Sequence, residues 1–234
     1  MNNVRTIAVL GGGTGAGATT LLVALAVRAH AAGRRVAAID ADPCGGGLDV
    51  AFGVETESGV RWEDLLGSDG PLDGERLLER LPSADDGPSV LSFGRRWCTV
   101  AGELLDRTIS GLGAVHDVLL IDVGRHLVAP ETVAGYDELL LVARGTAAGL
   151  AAAGATAQRI GRLPQLVVRG AGSAAAQEAA GALGLELGAL VPDDRRLAAD
   201  AERGLPAGSR ARSAYVGECD RLLRDLLLSG AAAA

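Results

Sequence analysis

The sequence predicts an α/β fold: a doubly wound, mostly parallel sheet with helices on both faces. Three observations carry it. Seven short apolar runs alternate with stretches of helical periodicity, as strand–helix–strand units do. Several of the runs end on small or acidic residues, where parallel sheets place their ligands. The first run opens into a glycine-rich turn and then a long apolar helix.

Taken in order, the first strand spans 4–10, VRTIAVL, and stops at three glycines. A helix over 17–32 follows, built largely of Ala and Leu and closed by Gly33. The strand over 35–40, RVAAID, ends in an acid. From 53 to 88 the chain is rich in Gly, Asp, Ser and Pro, which reads as an elaborated connection holding the amphipathic piece RWEDLLG and a short helix at 74–80. Apolar runs predict strands at 89–93 and 117–122, with an amphipathic helix over 100–112 between them. Strands at 138–143, 165–169 and 187–191 alternate with helices at 147–160, 174–183 and 195–203, and a last helix runs over 215–228. Residues 1–230 read as one domain, and 231–234, the end of a Gly-Ala tail, as a frayed terminus.

At 234 residues with 48% hydrophobic content the chain can bury a full core. Its net charge of -7 speaks against strong nucleic-acid binding, and the arginines at 195, 196, 203, 210 and 212 read as a solvated loop. Three widely spaced cysteines without a paired motif read as reduced thiols, and no apolar stretch has the length of a leader core or a membrane span. The expected compartment is the cytoplasm. All 22 basic residues are arginine. No lysine is therefore available anywhere in the chain.

That matters at GGGTGAGATT, Gly11 to Thr20. A strand, a glycine turn and a helix start set backbone N–H groups and a positive helix end where a phosphate can sit. As a phosphate-binding loop, Gly12 and Gly17 frame the turn, Ala18 stands where G-x-x-x-x-G-K-[ST] has lysine, and Thr19 is the magnesium hydroxyl. As a dinucleotide fingerprint, Gly13-Thr14-Gly15-Ala16-Gly17-Ala18 fits G-x-G-x-x-A, with Asp40 as the ribose acid. A purely structural turn is the third reading. The segment IDADPCGGGLD tilts the balance, because Asp40, Asp42 and Asp49 suit a site that positions water and metal, and a dinucleotide fold needs only one acid there. Asp122, ending DVLLID, suits a carboxylate reaching magnesium.

These residues resemble the MinD/ParA family of deviant Walker A P-loop ATPases. VLGGGTGAGATTLLVALA resembles its P-loop and first helix, RRVAAIDADPCGGGLDVAFG its second strand and switch region, and HDVLLIDVG its Walker B strand. YDELLLVAR and LGLELGALVPDDRRLAADAERGLP resemble its later strands and the run near its adenine pocket. Within the family, GGGLD and RWEDL are most similar to the CpaE/TadZ-like branch, especially actinobacterial septum site-determining proteins.

The resemblance implies an ATP-sandwiched cytoplasmic homodimer that positions a Tad-type pilus, secretion or septum-site apparatus and reaches the membrane or pole through partners. It implies a nucleotide cradle of Gly12, Gly13, Thr14, Gly15, Ala16, Gly17, Ala18, Thr19 and Thr20, magnesium at Thr19 and Asp122, and Asp42 and Asp40 as water-side carboxylates. The family's two P-loop lysines fall on Gly13 and Ala18, its adenine asparagine on Arg169-Gly170, and its Walker B proline on Val123-Gly124. Losing a charged phosphate contact weakens binding by about one or two orders of magnitude, and losing a transition-state donor slows turnover by about a hundredfold to a thousandfold. The expectation is weak or absent ATP and Mg2+ binding with little hydrolysis: a pseudo-ATPase. A nucleotide-independent scaffold dimer and an NAD(P)- or FAD-binding oxidoreductase are the alternatives.

Arg144 and Arg125 end up near the same sheet edge and are the arginines considered as lysine substitutes. The leucine stripe at 222, 223, 226 and 227 reads as docking on the sheet. Trp62 reads equally as core or as partner contact, and His30, His116 and His126 carry no ligand spacing.

Overall fold

The computed structural model describes residues 4–84, 86–124 and 133–229. Arg125, His126 and the tail 231–234 lie outside the described residues. Seven strands form one sheet: β1 (Arg5–Gly11), β2 (Val36–Ala41), β3 (Ser89–Leu91), β4 (Val118–Val123), β5 (Glu138–Arg144), β6 (Gln165–Arg169) and β7 (Glu186–Val191). Their order is β3-β2-β4-β1-β5-β6-β7, and every pairing is parallel.

The helices are α1 (Ala18–Ala31), α2 (Leu48–Phe52), α3 (Trp62–Leu65), α4 (Gly74–Leu78), α5 (Gly102–Gly113), α6 (Ala147–Ile160), α7 (Ser173–Leu183), α8 (Arg196–Ala201) and α9 (Ala214–Ser229). β6 and α6 match the expected bounds. β3 is shorter than expected because Ser92 and Phe93 leave the ladder, and Ser92 turns its hydroxyl to Asp40 instead. α2 was not expected. Five residues are too few to carry a helical period, and the helix starts after Gly47, whose φ of 88° breaks the preceding backbone direction.

Alternate strand residues feed two cores, as a sheet covered on both faces requires. One face carries Leu10, Ile39, Leu119, Ile121 and Leu141 against Trp62, Leu104 and Leu112, with α6 contributing Ala153 and Ile160. The other carries Ile7, Val9, Ala38, Leu120 and Val142 against α1 and α9. α1 is apolar nearly all round because it lies between the sheet and α9, whose Leu222, Leu223 and Leu226 are buried against it. The leucine stripe therefore docks within the fold. Trp62 is fully buried, which settles it as core.

The sheet order decides where a ligand can sit. The chain runs outward from β1 through β2 to β3, returns to β4, then crosses to β5, β6 and β7. Its direction of winding reverses between β4 and β1, and the crevice at their carboxyl ends is the binding position of such sheets. The dinucleotide order 3-2-1-4-5-6 makes β1 and β2 neighbours. Here β4 stands between them, so Asp40 lies about two strand spacings, or ~10 Å, from the strand that feeds the glycine loop. The ribose-acid reading of Asp40, and with it the oxidoreductase alternative, loses its geometric basis.

Candidate functional site

β1 delivers the chain to Gly12, and α6 fixes it there. Gly12 donates its N–H to Val142 O at 2.8 Å, and its own carbonyl accepts Thr156 Oγ1–H at 3.0 Å. A Cβ at Gly12 would come within 2.7 Å of Ala153 Cβ, so the loop and α6 touch backbone to backbone. Gly17 closes the turn in the left-handed region, φ 97°, and a Cβ there would meet Arg169 Nη1 at 2.6 Å. α1 then begins at Ala18 with no side-chain cap and no acid in its first turn. Helix geometry leaves the first-turn N–H groups of Ala18, Thr19 and Thr20 without intrahelical acceptors. They border a cavity of about 910 Å³ together with Gly13 to Gly17, Asp42, Asp122 and one face of α6.

Asp122 sits opposite Val9 and Asp40 in the sheet register, beneath the start of α1. Thr19 Oγ1–H donates to its Oδ2 at 2.7 Å. Burial raises the Asp122 pKa to about 7; the Thr19 bond opposes this, and the negative charges of Asp40 and Asp42 add to it.

The two carboxylates expected on the water side part company. Asp42 lines the cavity, and its Oδ1 accepts the Cys44 N–H at 3.0 Å. Asp40 is 2% exposed. Its Oδ1 accepts from Asp42 N at 3.0 Å, and its Oδ2 from Leu48 N at 2.9 Å and Ser92 Oγ at 2.8 Å. Burial pushes the Asp40 pKa up against the pull of these three donors. Asp40 does not border that cavity but an adjoining recess of about 490 Å³, which also takes in Thr19, Asp42 and Asp122. Its geometry is that of a residue holding the 42–48 loop.

Sequence reasoning missed that clasp. Trp62 Nε1–H donates to the Asp40 carbonyl at 2.6 Å, and buried Asp49 pairs with Arg95 at 3.1 Å. Asp40, Asp49 and the amphipathic RWEDLLG piece were the parts singled out; Ser92 was expected inside the strand over 89–93, and Arg95 carried no pattern. Of the arginines considered, Arg144 borders a third recess of about 480 Å³ beside α1, with Arg169 and Asp193, and a smaller one of about 240 Å³ with Gly13, Thr14 and Ala16 of the glycine loop. Arg169 Nε lies 3.0 Å from Asp193 Oδ1. Arg159 had not been singled out, and it borders the main cavity.

The amide turn, the Thr19 hydroxyl and the Asp122 carboxylate fit a polyphosphate with a hard cation. Among the described residues, no group of three or more His, Cys, Asp or Glu could hold a metal by itself. A magnesium ion here would take its remaining ligands from phosphate and water, as it commonly does. Gly13 and Ala18 supply no charge.

No family model matches the chain. Two strain versions of an uncharacterized Mycobacterium tuberculosis protein, MT3760 and Rv3660c, are 33% identical over 172 residues, covering 61% of this chain and 48% of theirs. The chain thus spans about half the length of the curated relatives it matches. Among solved structures, a ParA family ATPase from Chlorobium tepidum superposes with TM-score 0.81 at 14% identity, covering 96% of this chain and 99% of that one. A chain of the MinC:MinD cell division protein complex of Aquifex aeolicus gives 0.78 at 19%, covering 96% of each. The septum site-determining protein MinD of Pyrococcus horikoshii, complexed with Mg-ADP, gives 0.75 at 21%, covering 97% and 98%. The fold is that of the MinD/ParA P-loop ATPases. Among the described residues, no helix is long and apolar enough to cross a membrane.

Proposed function

We propose that this chain is a MinD/ParA-family positioning or assembly factor of the CpaE/TadZ-like branch, serving a Tad-type pilus, secretion or septum-site apparatus from the cytoplasm as a homodimer. Its P-loop is degenerate. It binds Mg-ATP weakly and turns it over little. The observation that carries the reading is Thr19 Oγ1 set 2.7 Å from Asp122 Oδ2 beneath the uncapped start of α1. That arrangement supplies a hydroxyl and a carboxylate at one point of a crevice already lined by amides.

When bound, magnesium neutralises phosphate charge. The chain's own residues do the rest: amides from Gly13 to Thr19 cradle the phosphates, and Thr19 and Asp122 orient the cation. Asp42 faces the cavity as the water-side carboxylate, and Asp40 positions it through the Asp42 N–H. Transition-state charge finds no lysine at Gly13 or Ala18, which removes on the order of a hundredfold or more in rate.

The same two absences favour a second reading, a scaffold that dimerises and meets pilus, secretion or division proteins without nucleotide. Calorimetric titration with Mg-ATP, with NADH in parallel, separates the readings. Saturable Mg-ATP binding that Thr19→Ala abolishes is the expected result. No heat, with a dimer fraction indifferent to ATP, supports the scaffold; heat with NADH alone overturns both.

A further inference from the structure

The cavity above the glycine loop is bordered by two carboxylates, Asp42 and Asp122, and among the described residues by one cationic side chain, Arg159. Arg159 stands on α6 at the end of a series, Ala152, Ala155, Thr156 and Arg159, whose i, i+3, i+4, i+7 spacing makes a single face turned to the cavity. The other three members are small. The loop can approach closely because of that, and it does: Thr156 Oγ1 donates to Gly12 O at 3.0 Å, and a Cβ at Gly13 would sit 3.2 Å from Ala152 Cβ. Backbone contact therefore fixes α6 against the loop, and with it the point from which Arg159 departs. Helical side chains lean toward the helix N-terminus, so the Arg159 side chain starts out toward Thr156 and Ala155 on the face that borders the cavity.

Arg159 is exposed and makes no hydrogen bond or ion pair with any described residue. Its neighbours in kind are differently placed: Arg169 is paired with Asp193, and Arg144 borders the recess beside α1 and a smaller one at Gly13, Thr14 and Ala16 but not this cavity. A guanidinium presents several N–H donors in a planar fork and keeps its charge, which suits adjacent phosphate oxygens.

We propose that Arg159 is the phosphate-binding cation of this site, supplying from α6 the charge that the loop lacks at Gly13 and Ala18. The proposal rests on the reading of the cavity as a polyphosphate site and identifies the side chain that holds the ligand there. In a chain without lysine, the cationic contact has moved from the loop to the helix that braces it.

The test is calorimetric titration of the full chain with Mg-ATP and with tripolyphosphate, comparing the unsubstituted protein, Arg159→Gln, and Arg76→Gln as a remote change of equal charge. Arg159→Gln is expected to weaken both ligands by about ten- to a hundredfold and to flatten the salt dependence, with Arg76→Gln like the parent. Equal affinity in the parent and Arg159→Gln overturns the proposal and leaves the nucleotide reading standing. Tripolyphosphate binding that depends on Arg159, without ATP binding, upholds the proposal and sinks the nucleotide reading. Binding of neither ligand by the parent overturns both.

Discussion

Asp122 is the residue whose replacement should tell most. Its carboxyl is raised from an ordinary 3.8 to about 7, chiefly by burial, so in the ligand-free protein the folded state prefers it protonated. A carboxyl with a raised folded pKa contributes fully to stability below its unfolded value, and that contribution is lost as pH rises through the folded value. The window thus runs from about pH 4 to about pH 7. Between pH 5 and pH 8 the shift corresponds to roughly 2.5 kcal/mol of lost stability at 1.36 kcal/mol per unit, an upper bound since buried sites relax. Asp122→Asn keeps an acceptor for the Thr19 hydroxyl and removes the titration. Urea unfolding of parent and variant at pH 5 and pH 8, without nucleotide or metal, reads the difference directly. The variant should gain on the parent by one to a few kcal/mol as pH rises, with other titrating groups cancelling in the comparison. Parallel pH profiles would refute the claim that Asp122 is held in a desolvated pocket beside other carboxylates.

Three further outcomes follow from the same geometry. Ala18→Lys, at the first position of α1, should tighten Mg-ATP binding by about ten- to a hundredfold in calorimetry, because it returns one charge-assisted phosphate contact to the loop. Ser92→Ala removes a donor at 2.8 Å from buried Asp40 and should lower stability by about 1 to 3 kcal/mol in urea unfolding. Gly12→Ala forces a Cβ to 2.7 Å from Ala153 Cβ and 2.8 Å from its Cα, and should cost about 1 to 3 kcal/mol by prising α6 from the loop.

The strands were legible because each is a compact apolar run in a sheet buried on both faces, and the long helices because their periods repeat several times. What escaped was short or irregular. α2 has five residues, Ser92 was expected inside a strand that in fact ends at Leu91, and Arg95 has no pattern of its own. Their roles arise only when β2 and β3 pair and bring Ser92 to Asp40. Asp40 shows the limit most clearly. An acid at a strand end reads as a water-side group, and only the tertiary arrangement turns it into a buried anchor with three donors. Arg159 was hidden for a related reason. Its helix was predicted to the residue, yet nothing local says that this face meets the glycine loop.

The loop's shape and its charge are separate inheritances. Among the bonds that set the turn are Gly12 N–H to Val142 O, Ala16 N–H to Gly13 O, Thr156 Oγ1–H to Gly12 O and Leu21 N–H to Gly17 O, and none of these involves a charged side chain. Close packing at Gly12 against Ala153 completes it. The turn is therefore held without any charged side chain from the loop itself. The clasp around Asp40 belongs to the scaffold too, since Trp62, Ser92 and Leu48 all converge on it from different elements. A cation needs only to reach the amide-lined pocket from a neighbouring element, and α6 is the element pressed closest to it.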